Sequence, residues 1–232
     1  MRHSPMIALT SPAKSIAIGV FAVSLLTPLS GCGNSQEFDV PPQPALKQPG
    51  RAAAPRKRRP IVEGETRVGD FVFKLPAEWK CIDMSKSEAK TEDEVDGKIV
   101  AKLRADPMRS TRDGEGYIAA LRPRAATAEQ LDDGSALMIP VICEPLLIPG
   151  NLEDFVKPAM GGMRKASKDG ALPARAMVGP FTTLAFQAKD GKYVKQYITV
   201  VGGLSYVWLP TTQDSEAGFA KADELMAGAK LE

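Results

Sequence analysis

Histidine is all but missing from this sequence: the single copy is His3. No apolar run is long enough to cross a bilayer. The longest, Ile16–Leu29, holds 14 residues and is interrupted by Gly19 and Pro28. As a helix it would rise about 21 Å, short of the roughly 30 Å hydrocarbon core. No G-x-S-x-G, P-loop or G-x-G-x-x-G occurs, which removes the common sequence grounds for a hydrolase elbow or a phosphate cradle. Ser87-Glu88-Ala89-Lys90 fits S-x-x-K, but the S-D-N and K-T-G elements that this chemistry also needs are missing. No period of roughly 20–50 residues repeats, which argues against a solenoid.

What is present begins at the amino terminus. Arg2, His3 and Lys14, with no acid among them, precede the apolar stretch and form the positive region of a secretory signal. Leu29-Ser30-Gly31-Cys32 resembles the bacterial lipoprotein signal, the lipobox. The resemblance implies that residues 1–31 are a signal peptide cleaved before Cys32. It also implies acyl chains on the sulfur and new amino group of Cys32. An ordinary secretory signal with a chance cysteine is the alternative. Several acyl chains on one residue supply the two or more hydrophobic signals that stable anchoring needs. Gly33 stands where some bacteria place an inner-membrane retention Asp, which favours the outer membrane. The expected location is the bacterial cell envelope, lipid-anchored and facing the periplasm.

Processing would remove His3, and with it any Ser-His-Asp or Cys-His mechanism and the commonest metal ligand. No catalytic residue, cofactor or metal is therefore expected. Loss of Arg2 and Lys14 leaves 28 basic and 28 acidic residues, unevenly placed. Residues 41–60 carry six basic side chains, six prolines and no acid, whereas the chain from Ile61 onward is net −4. A basic tether on an acidic domain does not suit nucleic acid, which needs a basic face on the fold. Residues 32–67 read as a disordered tether, too poor in apolar surface to fold. As a coil it spans about 30–35 Å, and drawn out as polyproline helix about 105 Å. Arg56-Lys57-Arg58-Arg59 reads as a solvated spacer in preference to a binder of anionic lipid.

Residues 68–232 suit one globular domain. Asp70–Leu75 reads as a strand closed by Pro76. Lys98–Leu103 alternates polar and apolar residues, the mark of a half-buried strand. Leu137–Leu147 is apolar, but Pro140 and Pro145 make it an edge or irregular strand. Glu92–Gly97 resembles half a calcium loop, yet the twelfth position is Leu103, so it reads as a solvated acidic loop. Asn151 is placed to cap a helix burying Leu152, Phe155, Ala159 and Met163, with a kink at Pro158. Phe181–Ala188, Tyr193–Val201 and Leu204–Leu209, joined by Lys-Asp-Gly-Lys and Gly-Gly, form an antiparallel meander. A last helix from about Asp214 to Ala229 buries Phe219, Ala222 and Met226. Together these give an α+β fold, an antiparallel sheet flanked by helices.

The opening FVFKLPAEW and the closing DGKYVKQYITVVGGLSYVWLPTTQDSEAGFAKADELMAGAKL are similar to the first strand and final hairpin and helix of Mog1/PsbP-like domains. That resemblance covers the first dozen and last fifty or so residues of the domain. It implies an α/β/α sandwich and a binding or assembly role, not catalysis, and it carries over no site residue.

Cys81 and Cys143 remain once Cys32 is acylated. They either pair, closing a 62-residue loop worth about 4 kcal/mol, or stand as separate buried thiols. Of Tyr193, Tyr197, Tyr206 and Trp208, core packing is the default role, but Lys195, Tyr197 and Thr199 share a face that is the first candidate for binding. The function expected is a membrane-anchored, non-enzymatic module that binds an envelope protein. The alternative is a small-ligand or lipid carrier with a pocket between sheet and helix. An enzyme would have to rest on carboxylates such as Glu144 or Asp154.

Overall fold

The computed structural model describes residues 60–86, 88–107, 109, 114–146, 150–212 and 219–232. Residues 1–31, expected to be a signal peptide, and Cys32, Arg56–Arg59 and Ser87 lie outside the described residues, as does 213–218, where the last helix is expected to begin. Folding starts slightly earlier than Val68, because strand β1 (Glu65–Val68) pairs antiparallel with β2 (Phe71–Lys74). Their two-residue turn needs Gly69, whose φ is +58°. A Cβ there would also lie 2.5 Å from the Tyr206 ring. A short β10 (Lys230–Leu231) completes this small sheet on the other side of β2.

The expected meander is present as β7 (Phe181–Gln187), β8 (Tyr193–Val201) and β9 (Leu204–Trp208). With β3 (Trp79–Asp83), β4 (Gly116–Pro123), β5 (Ile139–Pro145) and β6 (Ala174–Val178) it builds a seven-stranded antiparallel sheet in the order β3-β4-β5-β9-β8-β7-β6. Two expectations are corrected here. β5 is an interior strand, not an edge, because its prolines sit near its two ends. Pro145 is its last residue, and the carbonyl of Pro140 accepts from Leu209 N–H at 2.9 Å. Lys98–Leu103 is not a strand but belongs to helix α1 (Glu94–Arg104). The same six residues place Ile99, Val100 and Leu103 at helical spacing, and all three are buried.

One face of the large sheet carries α1, α2 (Ala128–Asp132) and α3 (Leu152–Ala166). Asn151 caps α3 as expected, its side chain accepting from the N–H groups of Glu153 and Asp154, and the helix runs on through Pro158. Val156, Ala159 and Met163 bury its stripe, while Leu152 and Phe155 are only partly covered. The opposite face packs against the small sheet and α4 (Ala220–Ala227), with Phe219, Ala222 and Met226 buried. The outer layer on that side is thus part helix and part sheet. Among the described residues no helix is long and apolar enough to cross a membrane.

Between α1 and the sheet lies a buried charge cluster. Lys80 and Arg122 are direct partners across β3 and β4, 5% and 0% exposed. Two cations in that position repel one another and lose their water, so acids must meet them. Asp96 (1% exposed) accepts from Lys80 Nζ and Arg122 Nε, both at 2.8 Å. Asp93 caps α1 through the Asp96 N–H and accepts from Lys80 at 2.8 Å and from Arg122 at 2.9–3.0 Å. Arg122 Nη1 donates to the carbonyls of Pro123, Arg124 and Ala126. The stretch expected to be a solvated acidic loop is therefore the anchor of α1, with Asp93 and Asp96 bonded to Lys80 and Arg122.

Asp93 is pulled down to about 2, first by the Lys80 hydrogen bond and then by the Asp96 backbone N–H. Burial alone would lower the Lys80 ammonium, but Asp93, Asp96 and Glu92 together raise it. A depressed carboxyl stabilises the fold fully above its unfolded value near 3.8 and loses that contribution as pH falls toward 2. The native protein should accordingly show a stability loss across that window, and Asp93→Asn should remove that part of the pH dependence. Replacing Asp96 by Ala should cost about 3–5 kcal/mol, read as a lower urea midpoint at unchanged slope. Lys98→Ala, at an exposed pair with Glu94, should leave the midpoint in place.

Candidate functional site

Alternation along β8 does bring Lys195, Tyr197 and Thr199 to one face, but α4 covers it. Tyr197 is 0% and Thr199 7% exposed. Asp223, in the first turn of α4, accepts from the Tyr197 hydroxyl at 2.7 Å and pairs with Lys195 Nζ at 2.7 Å. The Lys195 ammonium also lies 5.6 Å from the centre of the Tyr197 ring. Burial, and then the Asp223 carboxylate, push the Tyr197 hydroxyl well above its ordinary value. The face predicted to be partly wet is a closed helix-to-sheet clamp. Asp223 was not singled out in the sequence, although it flanks the Phe219–Ala222–Met226 stripe at helical spacing.

Behind the clamp, Phe181, Tyr197 and Trp208 pack with Phe71 and Phe73 at centroid distances of 4.8–6.4 Å. Tyr206, two positions before Trp208 on β9, closes this group, donating to Asp70 at 3.0 Å and resting on Gly69. These side chains fill the space between sheet and α4 where a carrier would hold its ligand.

The cysteines do not pair. Cys81 lies opposite Leu121 and Cys143 opposite Gly116, on the two sides of β4. Five positions along a strand is about 17 Å, far beyond disulfide reach. Both are free thiols, pushed up by burial to about 12 for Cys81 and about 11 for Cys143. The carboxylates considered for catalysis are likewise engaged elsewhere. Glu144 pairs with Arg109 at 3.1 Å, and Asp154 closes the α3 capping box.

The open feature is the sheet edge at β6, where Ala174, Arg175, Ala176 and Met177 are all exposed. Val178 and Phe181 close the two-residue turn to β7, so Val178, Ala176 and Ala174 exchange the ladder bonds with that strand. The N–H and C=O of Arg175 and Met177 then point away from the sheet. Met177 is 63% exposed. Arg175, the one charge on the strand, is paired with Glu153 of α3. The other edge, β3, buries Trp79, Lys80 and Ile82 instead.

Among solved structures the chain is similar to the cyanobacterial PsbP (CyanoP) from Synechocystis sp. PCC 6803, at 13% identity over 71% of this chain and 88% of that one, with a TM-score of 0.35. It is also similar to a protein from Bacteroides thetaiotaomicron VPI-5482, at 12% identity over 70% of this chain and a TM-score of 0.34. The match spans 45% of that second protein, under half its length. No family model matches, and the comparison with curated proteins found no match.

Cys143 is buried, Cys81 is partly covered and both thiol pKa values are raised, which sets a direct test. A thiol reagent at pH 8 should leave Cys81 and Cys143 of the Cys32→Ser protein unmodified while folded and label both in denaturant, without prior reduction. Reaction of only one, or a need for reductant, would contradict the separated thiols.

Proposed function

We propose that the protein is an accessory component of a bacterial envelope, lipid-anchored at Cys32, that acts without catalysis by adding a strand of a partner protein to its β6 edge. The observation that carries this reading is the place of β6 at the end of the sheet order with Arg175 and Met177 both exposed. Strand addition draws affinity from main-chain bonds and specificity from alternate side chains. Most edges are guarded by charge or proline, and here the only charge is neutralised by Glu153. The lipobox and the basic, Pro-rich sequence after it support the anchored placement, with the outer membrane favoured by Gly33. The carrier reading is weakened by the aromatic side chains that fill the sheet–α4 space.

A photo-crosslinking residue in place of Met177, in the full-length protein in its native envelope, should give one abundant adduct. The same residue in place of Lys98 should not. Arg175→Pro removes an outward N–H on an edge strand, so it should abolish the adduct with little effect on the melting temperature. Cys32→Ser should lose the acyl mass on the mature chain and weaken the adduct. Equal adducts from positions 177 and 98, or co-purified lipid with no protein adduct, would refute the edge and favour a carrier.

A further inference from the structure

The amino end of β6 adjoins a second unassigned surface. The carboxyl end of α3 and the β7–β8 turn are tied together by three backbone contacts. Lys168 N–H donates to Gln187 O at 2.8 Å, Lys189 N–H to Ala166 O at 3.1 Å, and Ser167 bridges Ala188. This brings Arg164, Lys165, Lys168, Lys189 and Lys192 to one end of the domain, all exposed. Only Asp169 and Asp190 oppose them there, Asp190 pairing with Lys192 at 3.4 Å. The end is net +3 in a region that is net −4 from Ile61 onward.

Helix stabilisation does not account for the cluster. Cations in a last helical turn offset the helix dipole, which explains Arg164 and Lys165. Lys168, Lys189 and Lys192 lie beyond the last turn, and Lys192, on the far side of the β7–β8 turn and paired with Asp190, is not explained by it. Two exposed apolar side chains flank the same end. Leu172 is 60% exposed and follows Ala171, whose carbonyl is held by Ser167 Oγ at 2.9 Å. Tyr193 is 43% exposed and pairs with Gln187 at the base of the turn.

We propose that this end docks on an anionic bilayer surface, a contact that rests on the envelope placement above and is separate from the β6 edge. Five cations over two joined turns set up a field suited to an array of headgroups, and Tyr193 and Leu172 suit the interfacial layer. The 32 residues between Cys32 and Glu65 have a contour length of about 105 Å, enough for this end to reach the membrane that anchors the chain.

The test uses the processed chain, residues 32–232 with Cys32→Ser, so that no acyl chain contributes. It should sediment with vesicles of phosphatidylglycerol mixed with phosphatidylcholine and not with phosphatidylcholine alone, and lose binding as salt rises. Each basic residue near a charged surface is worth about fivefold in partition, so combined Lys168→Ser, Lys189→Ser and Lys192→Ser should lower binding roughly 100-fold. All three side chains are exposed, and an unchanged melting temperature confirms an intact fold. Neutralising Arg56, Lys57, Arg58 and Arg59 to Ser should leave a measurable vesicle affinity that the lysine triple variant then removes. The proposal is overturned if the tether variant alone abolishes binding, if vesicle charge makes no difference, or if the chain binds polyglutamate but not vesicles. None of these outcomes would touch the crosslink at Met177, so the two surfaces succeed or fail independently.

Discussion

Lys80 and Arg122 face each other across two neighbouring strands with almost no access to water. Nothing else in the fold is as demanding. The repulsion and desolvation of this pair can be met only by acids brought from outside the sheet, and Asp93 and Asp96 bring the start of α1 with them. That docking sets where Ile99, Val100 and Leu103 meet Ile82 and Ala120. It also fixes the pairing of β3 with β4, since a one-residue slip of β3 would turn Lys80 to the opposite, aromatic face and part it from Arg122 and the two acids. A well-packed apolar cluster of similar volume could be as stable or more so. What the charges add is a single permitted register and a single seat for α1.

How much of this was legible in the sequence depended on whether local signals agreed with tertiary ones. The meander was plain because turn chemistry and strand composition pointed the same way: Gly191, Gly202 and Gly203 all take positive φ. The α3 start was plain because Asn151 and Asp154 form a reciprocal cap in which every partner lies within three residues. Lys98–Leu103 misled because six residues fit a period of two and a helical stripe equally well, and the arbitrating Asp93 cap was assigned to a loop. The burial of Asp96 could not be seen at all. Its partners lie 16 and 26 positions away and become neighbours only when β3 and β4 pair. Pro140 and Pro145 argue for an edge or irregular strand; the edge reading fails because both prolines sit near the ends of β5, while the register with β4 does shift between Tyr117 and Ala119.

The candidate binding face failed for a related reason. Aromatics on alternate strand positions look the same whether a ligand or a helix covers them. Asp223 decides the matter by meeting both the Tyr197 hydroxyl and the Lys195 ammonium, leaving α4 held by polar contacts at its start and by Ala222 and Met226 along its length. With Arg67 bonded to Glu232 at 2.5 Å and β10 paired to β2, the end of the chain is tied to its first sheet. The aromatic layer is interior because α4 and the β1–β2–β10 sheet close over it.

The two edges of the large sheet are treated oppositely, and that contrast gives the functional reading its physical content. At β3 the edge residues are drawn inward, with Trp79 in one core and Lys80 and Ile82 facing α1 on the other side. At β6 four of the five residues are exposed and the strand carries one charge. An unpaired Arg at that position would deter another strand, because pairing would strip its water. Glu153 removes the deterrent by holding the guanidinium against α3, on the face and away from the edge. An edge that a fold leaves apolar while neutralising its only gatekeeper is open to strand addition, whereas the charged end beside it favours a surface of opposite sign. Both lie within one quarter of the chain, between Leu152 and Val201, which is also the part farthest in sheet order from the buried charges that hold the fold together.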